Sequence, residues 1–165
     1  GRDAGNIVVV MMRDGWFWLI PFADGRTSVG VVADGRNIQE QRLPVEALLG
    51  LAIDRCPAVS RLMAKAERVS QVYATSDWTY RSRRIVGDGY LLVGDAAAFI
   101  DPVFSTGVLL AMSSAEMAAD LLDEGLRKGE LSERRLRDYE RAVSAHVQGY
   151  WRIVETFYSS SFPRL

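Results

Sequence analysis

Near its start the chain is built from short apolar runs. Residues 7–12, 16–22 and 27–33 are rich in Val, Ile and aromatic side chains, and Asp14-Gly15 and Asp24-Gly25 separate them. Runs of this length with Asp-Gly between them predict three strands in an antiparallel meander, ended by Asp34-Gly35. The period then lengthens. Over residues 40–55, Leu43, Ala47, Leu51 and Ile53 mark one side of a helix that Pro44 starts, and residues 57–65 predict a second, shorter helix. Residues 69–75 alternate loosely, as a strand returning to the meander would, and residues 78–84 read as a connecting loop with three arginines. Tyr90, Leu91, Leu92 and Val93 are continuously apolar, which predicts an interior strand of a parallel sheet. A small-residue helix follows over 108–122, then a break over 125–129. Ser132 is placed to cap a last helix, in which Leu136, Tyr139, Val143, Val147, Tyr150, Val154 and Phe157 form one stripe. Both charge signs occupy its polar side, so this helix packs on its own protein rather than on a membrane surface.

Composition narrows the class. The chain has 165 residues, 48% hydrophobic, with net charge −1, which suits a folded soluble chain and lacks the basic excess of a nucleic-acid binder. No apolar run is long enough to cross a membrane, and no signal peptide is visible. A lone cysteine, Cys56 beside Pro57, forms no internal disulfide; it reads as a small structural residue in a protein of the reducing cytoplasm. With His146 the only histidine, no metal constellation is expected.

Candidate chemistry gathers around residues 94–108. Gly94 permits a tight corner, and Asp95 places a carboxylate at the C-terminal end of a strand, where open α/β sheets bind ligands. Pro102 lies in the loop that follows, and Ser105, Thr106 and Gly107 open the helix, so their backbone amides form a partly positive pocket. A turn and a helix cap with no ligand is the plainer account. The order strand, Gly-Asp, Pro, Ser-Thr-Gly, helix resembles the second FAD-binding motif of the p-hydroxybenzoate-hydroxylase-like flavoproteins. That resemblance implies that Asp95 holds the ribityl chain and that the segment from Pro102 to Val108 aims a helix N-terminus at the flavin ring. The cofactor-binding set is then Gly94, Asp95, Pro102, Ser105, Thr106, Gly107 and Val108.

A second string is Trp16-Phe17-Trp18-Leu19-Ile20-Pro21. On a strand, Trp16, Trp18 and Ile20 share one face, and Phe17 and Leu19 the other; aromatics commonly fill strands for packing alone. The string resembles WxWxIP, the signature of flavin-dependent halogenases, and residues 28–32 resemble the strand that follows it there. The resemblance implies that Trp16, Trp18, Ile20 and Pro21 fence the flavin from the organic substrate, and that the backbone amides of Thr106 and Gly107 hold a halide. The family's catalytic lysine has no counterpart, since neither Lys65 nor Lys128 sits in a matching motif, and no GxGxxG occurs. No catalytic residue is therefore assigned, and the chain reads as the C-terminal portion of a longer protein. Arg81, Arg83 and Arg84 are either a solvated loop or a guide for an acidic carrier protein, and Trp78 and Tyr80 are candidates to line a substrate pocket.

The expected fold is α/β (α+β): the C-terminal part of a p-hydroxybenzoate-hydroxylase-like FAD fold, with antiparallel substrate-side strands and short helices over 1–80, and an FAD-domain strand and helix with a long helical tail over 81–165. The N-terminal dinucleotide unit is absent. The implied activity is FAD-dependent chlorination of an electron-rich aromatic, as a small molecule or an acyl group on a carrier protein, through a flavin hydroperoxide and hypochlorous acid. A separate flavin reductase would reduce the FAD, and chloride would be the co-substrate. The alternatives are a monooxygenase or geranylgeranyl-reductase-like oxidoreductase of the same fold, and a non-catalytic fragment that self-associates or waits for the missing half of the same protein.

Overall fold

A computed structural model describes residues 5–34 and 42–159. They form two compact units, one running to Ser76 and the other from Asp77, each with a core of its own. The sequence alone had placed this division at residue 80.

The first unit is a sheet with two helices on one face. Strands β1 (Val8–Met12), β2 (Gly15–Pro21) and β3 (Thr27–Ala33) pair antiparallel in the order β1-β2-β3, which is the meander expected from the Asp-Gly turns. The first turn falls one residue earlier than Asp14-Gly15 implies. Met12 pairs with Gly15, so Arg13 and Asp14 make the loop; a Cβ on Gly15 would lie 2.0 Å from the Val32 carbonyl oxygen. At the second turn Gly25 takes φ +87°, and the Asp24 carboxylate accepts the Arg26 amide at 3.0 Å and its Nε at 2.8 Å.

Period two sends Phe17 and Leu19 to one face, where they are buried with Cys56 and Val59. Helices α1 (Val45–Asp54) and α2 (Pro57–Met63) supply that cover. Pro44 stands immediately before α1, and Pro57 opens α2 behind buried Cys56. Gly35 and residues 40–41 of the expected helix lie outside the described residues. The strand expected over 69–75 does not form. Val69 and Tyr73 are 75% and 78% exposed: a loose alternation offers no apolar face to bury.

The second unit is a helical hairpin carrying very short strands. Helix α3 (Gly107–Lys128) runs beyond residue 122, through the expected break. Gly125 stays helical and buried because a Cβ there would lie 2.5 Å from Leu131 Cδ2. The stop is Gly129 at φ +74°, where the amides of Gly129 and Glu130 close on the carbonyls of Leu126 (3.4 Å) and Gly125 (3.0 Å). This is a Schellman turn. Ser132 caps α4 (Glu133–Tyr158), its hydroxyl accepting the Arg135 amide at 3.4 Å.

The expected stripe on α4 is present: Tyr139, Val143, Val147 and Phe157 are buried, and Leu136, Tyr150 and Val154 partly so. The side of α3 bearing Ser114, Ala118, Leu121 and Gly125 is buried, and its small residues permit close helix approach. Glu124 of α3 receives Lys128 and also Arg135 of α4; the hydrogen bond from Lys128, aided by Arg135, holds its carboxyl below the usual range. A flank of α3 beside that buried side is apolar too, yet Val108, Met112 and Leu126 are 72%, 69% and 80% exposed, while Glu116, Asp120, Asp123 and Arg127 occupy the side facing away from it.

Strands β5 (Val86–Gly87) and β6 (Tyr90–Leu91) form a small hairpin, and β4 (Tyr80–Arg81) pairs with β7 (Ala98–Phe99), all antiparallel. Two expectations are corrected here. Residues 90–93 are not an interior parallel strand among the described residues: the pairing is antiparallel and ends with the Leu92 amide on the Ile85 carbonyl at 2.8 Å, and Tyr90 and Val93 are exposed. With a turn at Gly89 (φ +72°), the nearest partner in sequence is the one available. Residues 78–84 are not merely a loop, since they contain β4.

Candidate functional site

The Gly94–Asp95 corner is held from three directions. Gly94 takes φ +53°, and a Cβ there would come 3.0 Å from Ala111 Cβ. Its amide donates to Ser114 Oγ at 2.9 Å, and the buried Ser114 hydroxyl donates to the Ala111 carbonyl at 3.1 Å. The corner therefore sits on the early turns of α3. From α4, the Tyr139 hydroxyl donates to the Leu92 carbonyl at 2.7 Å, and Glu140 accepts the Ile85 amide at 3.2 Å; burial pushes the Tyr139 phenol above its ordinary range. From the β4 side, the Tyr80 hydroxyl donates to the Asp95 carbonyl at 2.5 Å and Ser82 Oγ to the Ala96 carbonyl at 3.0 Å. Tyr80, a candidate pocket wall on sequence grounds, thus braces the corner. The Asp95 carboxylate is exposed and has no side-chain partner among the described residues.

The loop leading to α3 is as closely specified. Asp101 Oδ1 accepts the Val103 amide at 2.9 Å, which starts the one-turn 3-10 helix Pro102–Phe104. Ser105 follows in the left-handed region at φ +52°, its amide on the Pro102 carbonyl at 2.9 Å. Burial raises the Asp101 carboxyl above its ordinary value, against the opposing hydrogen bonds from Val103 and Tyr158. The first bond of the α3 ladder runs from the Leu110 amide to the Thr106 carbonyl at 2.9 Å. The amides of Gly107, Val108 and Leu109 precede it, and Thr106 provides no side-chain cap. Donors at the positive end of a 22-residue helix thus lie about one turn from the Ala111 contact of Gly94. The space behind the corner, lined by Gly94, Ala97, Leu110, Ser114 and Val143, is only water-sized.

The aromatic string belongs to the first unit. Trp16 is buried, and its ring lies 5.9 Å from that of Trp18 at 55°. Trp18 pairs with Gly30 across the sheet and donates its indole N–H to Ser28 Oγ at 3.1 Å. A Cβ on Gly30 would fall 1.9 Å from Trp18 Cζ2, so the ring rests on the bare backbone. Ile20 and Pro21 are half-buried at the end of β2.

Tyr80, Ser82, Ser114 and Tyr139 hold the corner, yet only Tyr80 was singled out from the sequence, and for another role. The readable signals were a serine on the apolar side of α3 and a phenol within the apolar stripe of α4. Arg81, Arg83 and Arg84 are exposed, as is His146. Among the described residues no acidic, histidine or cysteine group is arranged to hold a metal, and no helix is long and apolar enough to cross a membrane.

Comparison with known proteins agrees across the chain. The family model described as tryptophan halogenase matches residues 7–162. A 1H-pyrrole-2-carbonyl-(peptidyl-carrier protein) chlorinase of Pseudomonas fluorescens is 29% identical over 147 residues, covering 89% of this chain and 33% of the relative. A tryptophan 2-halogenase of Chondromyces crocatus is 34% identical over 158 residues, covering 93% of this chain and 30% of the relative. The structure of the myxobacterial chondrochloren halogenase CndH, an FAD-dependent halogenase, superposes with a TM-score of 0.84 at 37% identity, over 93% of this chain and 36% of that one. The chain therefore spans about a third of the length of these relatives. It belongs to the tryptophan halogenase family of flavin-dependent halogenases, enzymes whose FAD fold its mixed helices and strands match.

Proposed function

We propose that this chain is the C-terminal portion of an FAD-dependent halogenase that chlorinates an electron-rich aromatic ring, with the halide held at Thr106 and Gly107. The observation that carries the reading is the uncapped start of α3 beside the braced Gly94–Asp95 corner. The donor set fits FAD: a free carboxylate for hydroxyl groups of the ribityl chain, and a run of amides for the polar edge of the ring. Because the space behind the corner admits only a water-sized group, the ring would lie on the outer side, against Asp95 and the segment from Pro102 to Val108.

FAD, when bound and reduced by a separate reductase, supplies the oxidising chemistry with oxygen. The protein's own share is placement. Asp95 orients the cofactor, and the helix amides concentrate chloride without a charged side chain; Trp16, Trp18, Ile20 and Pro21, in the first unit, keep the fence role that their motif implies. A carrier-bound acyl group is one acceptor class, as the name of the pyrrolyl chlorinase indicates for that relative.

The test uses the full-length protein with a flavin reductase. Halogenated product that depends on halide is expected, and Asp95→Ala should weaken FAD binding by about tenfold or more, the loss of a charge-assisted contact. Oxygenated product without halogen would move the assignment to a monooxygenase or geranylgeranyl-reductase-like enzyme. An unchanged FAD affinity would remove the role given to Asp95.

The exposed apolar side of α3 favours a second reading, a non-catalytic fragment that associates with itself or a partner. The purified chain would then sediment as a dimer or larger and show no flavin absorption; a monomer with bound flavin excludes it.

A further inference from the structure

The far end of α4 returns to the loop that launches α3. The Tyr158 hydroxyl donates to Asp101 Oδ2 at 3.1 Å, while Oδ1 of the same carboxylate accepts the Val103 amide at 2.9 Å. Beside this bond, Phe104 meets Phe157 edge to face at 5.5 Å, and Phe157 meets Tyr158 at 5.2 Å. Phe157 is buried, and Phe104 is the last residue of the 3-10 turn. The next two residues are Ser105, fixed in the left-handed region, and Thr106, whose φ/ψ of −83°/−8° starts the helix. Rotation of the 101–104 turn would therefore be passed directly to the amides of Thr106 and Gly107, because no flexible residue intervenes.

We propose that Tyr158 and Phe157 form a clasp on Asp101 and Phe104 that sets the aim of the Thr106 and Gly107 amides, which makes Tyr158 and Asp101 positioning residues for the halide. This rests on the reading that those two amides hold the halide. The carboxylate serves both partners at once: one oxygen starts the turn, and the other ties it to a helix end 57 residues away in sequence. Aromatic edge-to-face contact adds orientation as well as burial. Neither Tyr158 nor Asp101 belongs to the proposed halide or cofactor contacts, so loss of the bond between them should act on halide affinity more than on cofactor affinity.

The experiment uses the full-length protein, with bromide as the halide. Tyr158→Phe keeps the ring and removes one hydrogen bond; Asp101→Asn keeps an oxygen to start the turn and removes the charge. Each should raise the KM for bromide by about tenfold, more than it changes kcat, with FAD affinity and thermal midpoint close to wild type. The double variant should be little worse than either single one, because each single variant already ends the donation from the phenol to the carboxylate. Diffraction from bromide-soaked wild-type crystals, read at the bromine edge, tests the underlying reading separately. A bromide peak at the Thr106 and Gly107 amides with an unchanged bromide KM in both variants would overturn the clasp while leaving the halide site standing. No peak at those amides would overturn both. A KM rise accompanied by an equal loss of FAD affinity or a large fall in thermal midpoint would make the contact a general structural one, and would overturn the positioning role.

Discussion

Gly94 is the residue on which conformation and contact agree most closely. Its backbone lies in the left-handed region, and its missing side chain lets the corner rest on Ala111. Gly94→Ala should cost roughly 1–2 kcal/mol for the backbone alone, with an added penalty from the 3.0 Å contact. Urea denaturation will measure the stability loss, and FAD titration of the full-length protein should show weaker binding as the corner lifts. Asp101 supplies a pH signature. Burial raises its folded pKa, so on acidification the folded state takes up this proton before the unfolded state does. Stability from this group therefore rises as pH falls from the raised value toward the ordinary carboxylate value near 4, and is flat above that window. Thermal midpoints across this range should show wild type gaining on Asp101→Asn as pH falls. A difference that is constant with pH, or of opposite sign, would contradict the assignment.

At the scale of elements, what was legible follows from how local each signal is. Strands β2 and β3 announce themselves as seven-residue runs rich in apolar side chains between Asp-Gly turns, and α4 through a stripe repeated along 26 residues. The corner and the start of α3 are marked by Gly94 and Gly107, which act through their own backbone, and by Asp95 between them. The two-residue strands β4 and β7 carry no period, because pairing that short is chosen by distant partners such as Thr79 with the Ile100 carbonyl at 2.6 Å. The end of α3 was misplaced for a related reason: Gly125 and Gly129 look alike in sequence, but only Gly129 takes positive φ, while Gly125 is kept bare by Leu131. Between β2 and β3 the pair Trp18 and Gly30 is similarly complementary. Gly30→Ala must displace the indole from its seat and from Ser28, so a shifted Trp fluorescence maximum is expected with the sheet retained by circular dichroism. An unaltered spectrum would mean that the ring is seated by something else.

For the whole molecule, the two units have separate cores, Phe17, Leu19, Cys56 and Val59 in one and the Tyr139, Val143 and Val147 cluster in the other. The chain between α2 and β4 has no regular structure, and Arg68 within it is exposed. Brief trypsin treatment should cut after Arg68 before it cuts inside α4, leaving two fragments identifiable by mass spectrometry. Early cleavage within α4 would show that its docking is the weaker feature.

The two apolar rows of α3 have a consequence for how this protein tolerates change in length. Ser114, Ala118, Leu121 and Gly125 lie in one row and Val108, Met112, Leu122 and Leu126 in a neighbouring one, all on a single cylinder. One amino acid inserted between Met112 and Ala118 would turn everything downstream by about 100° and misalign both rows together, with no neighbouring loop to absorb the twist. Natural and laboratory insertions should therefore be rejected along the rod and gather beyond Gly129, where the connection to α4 begins.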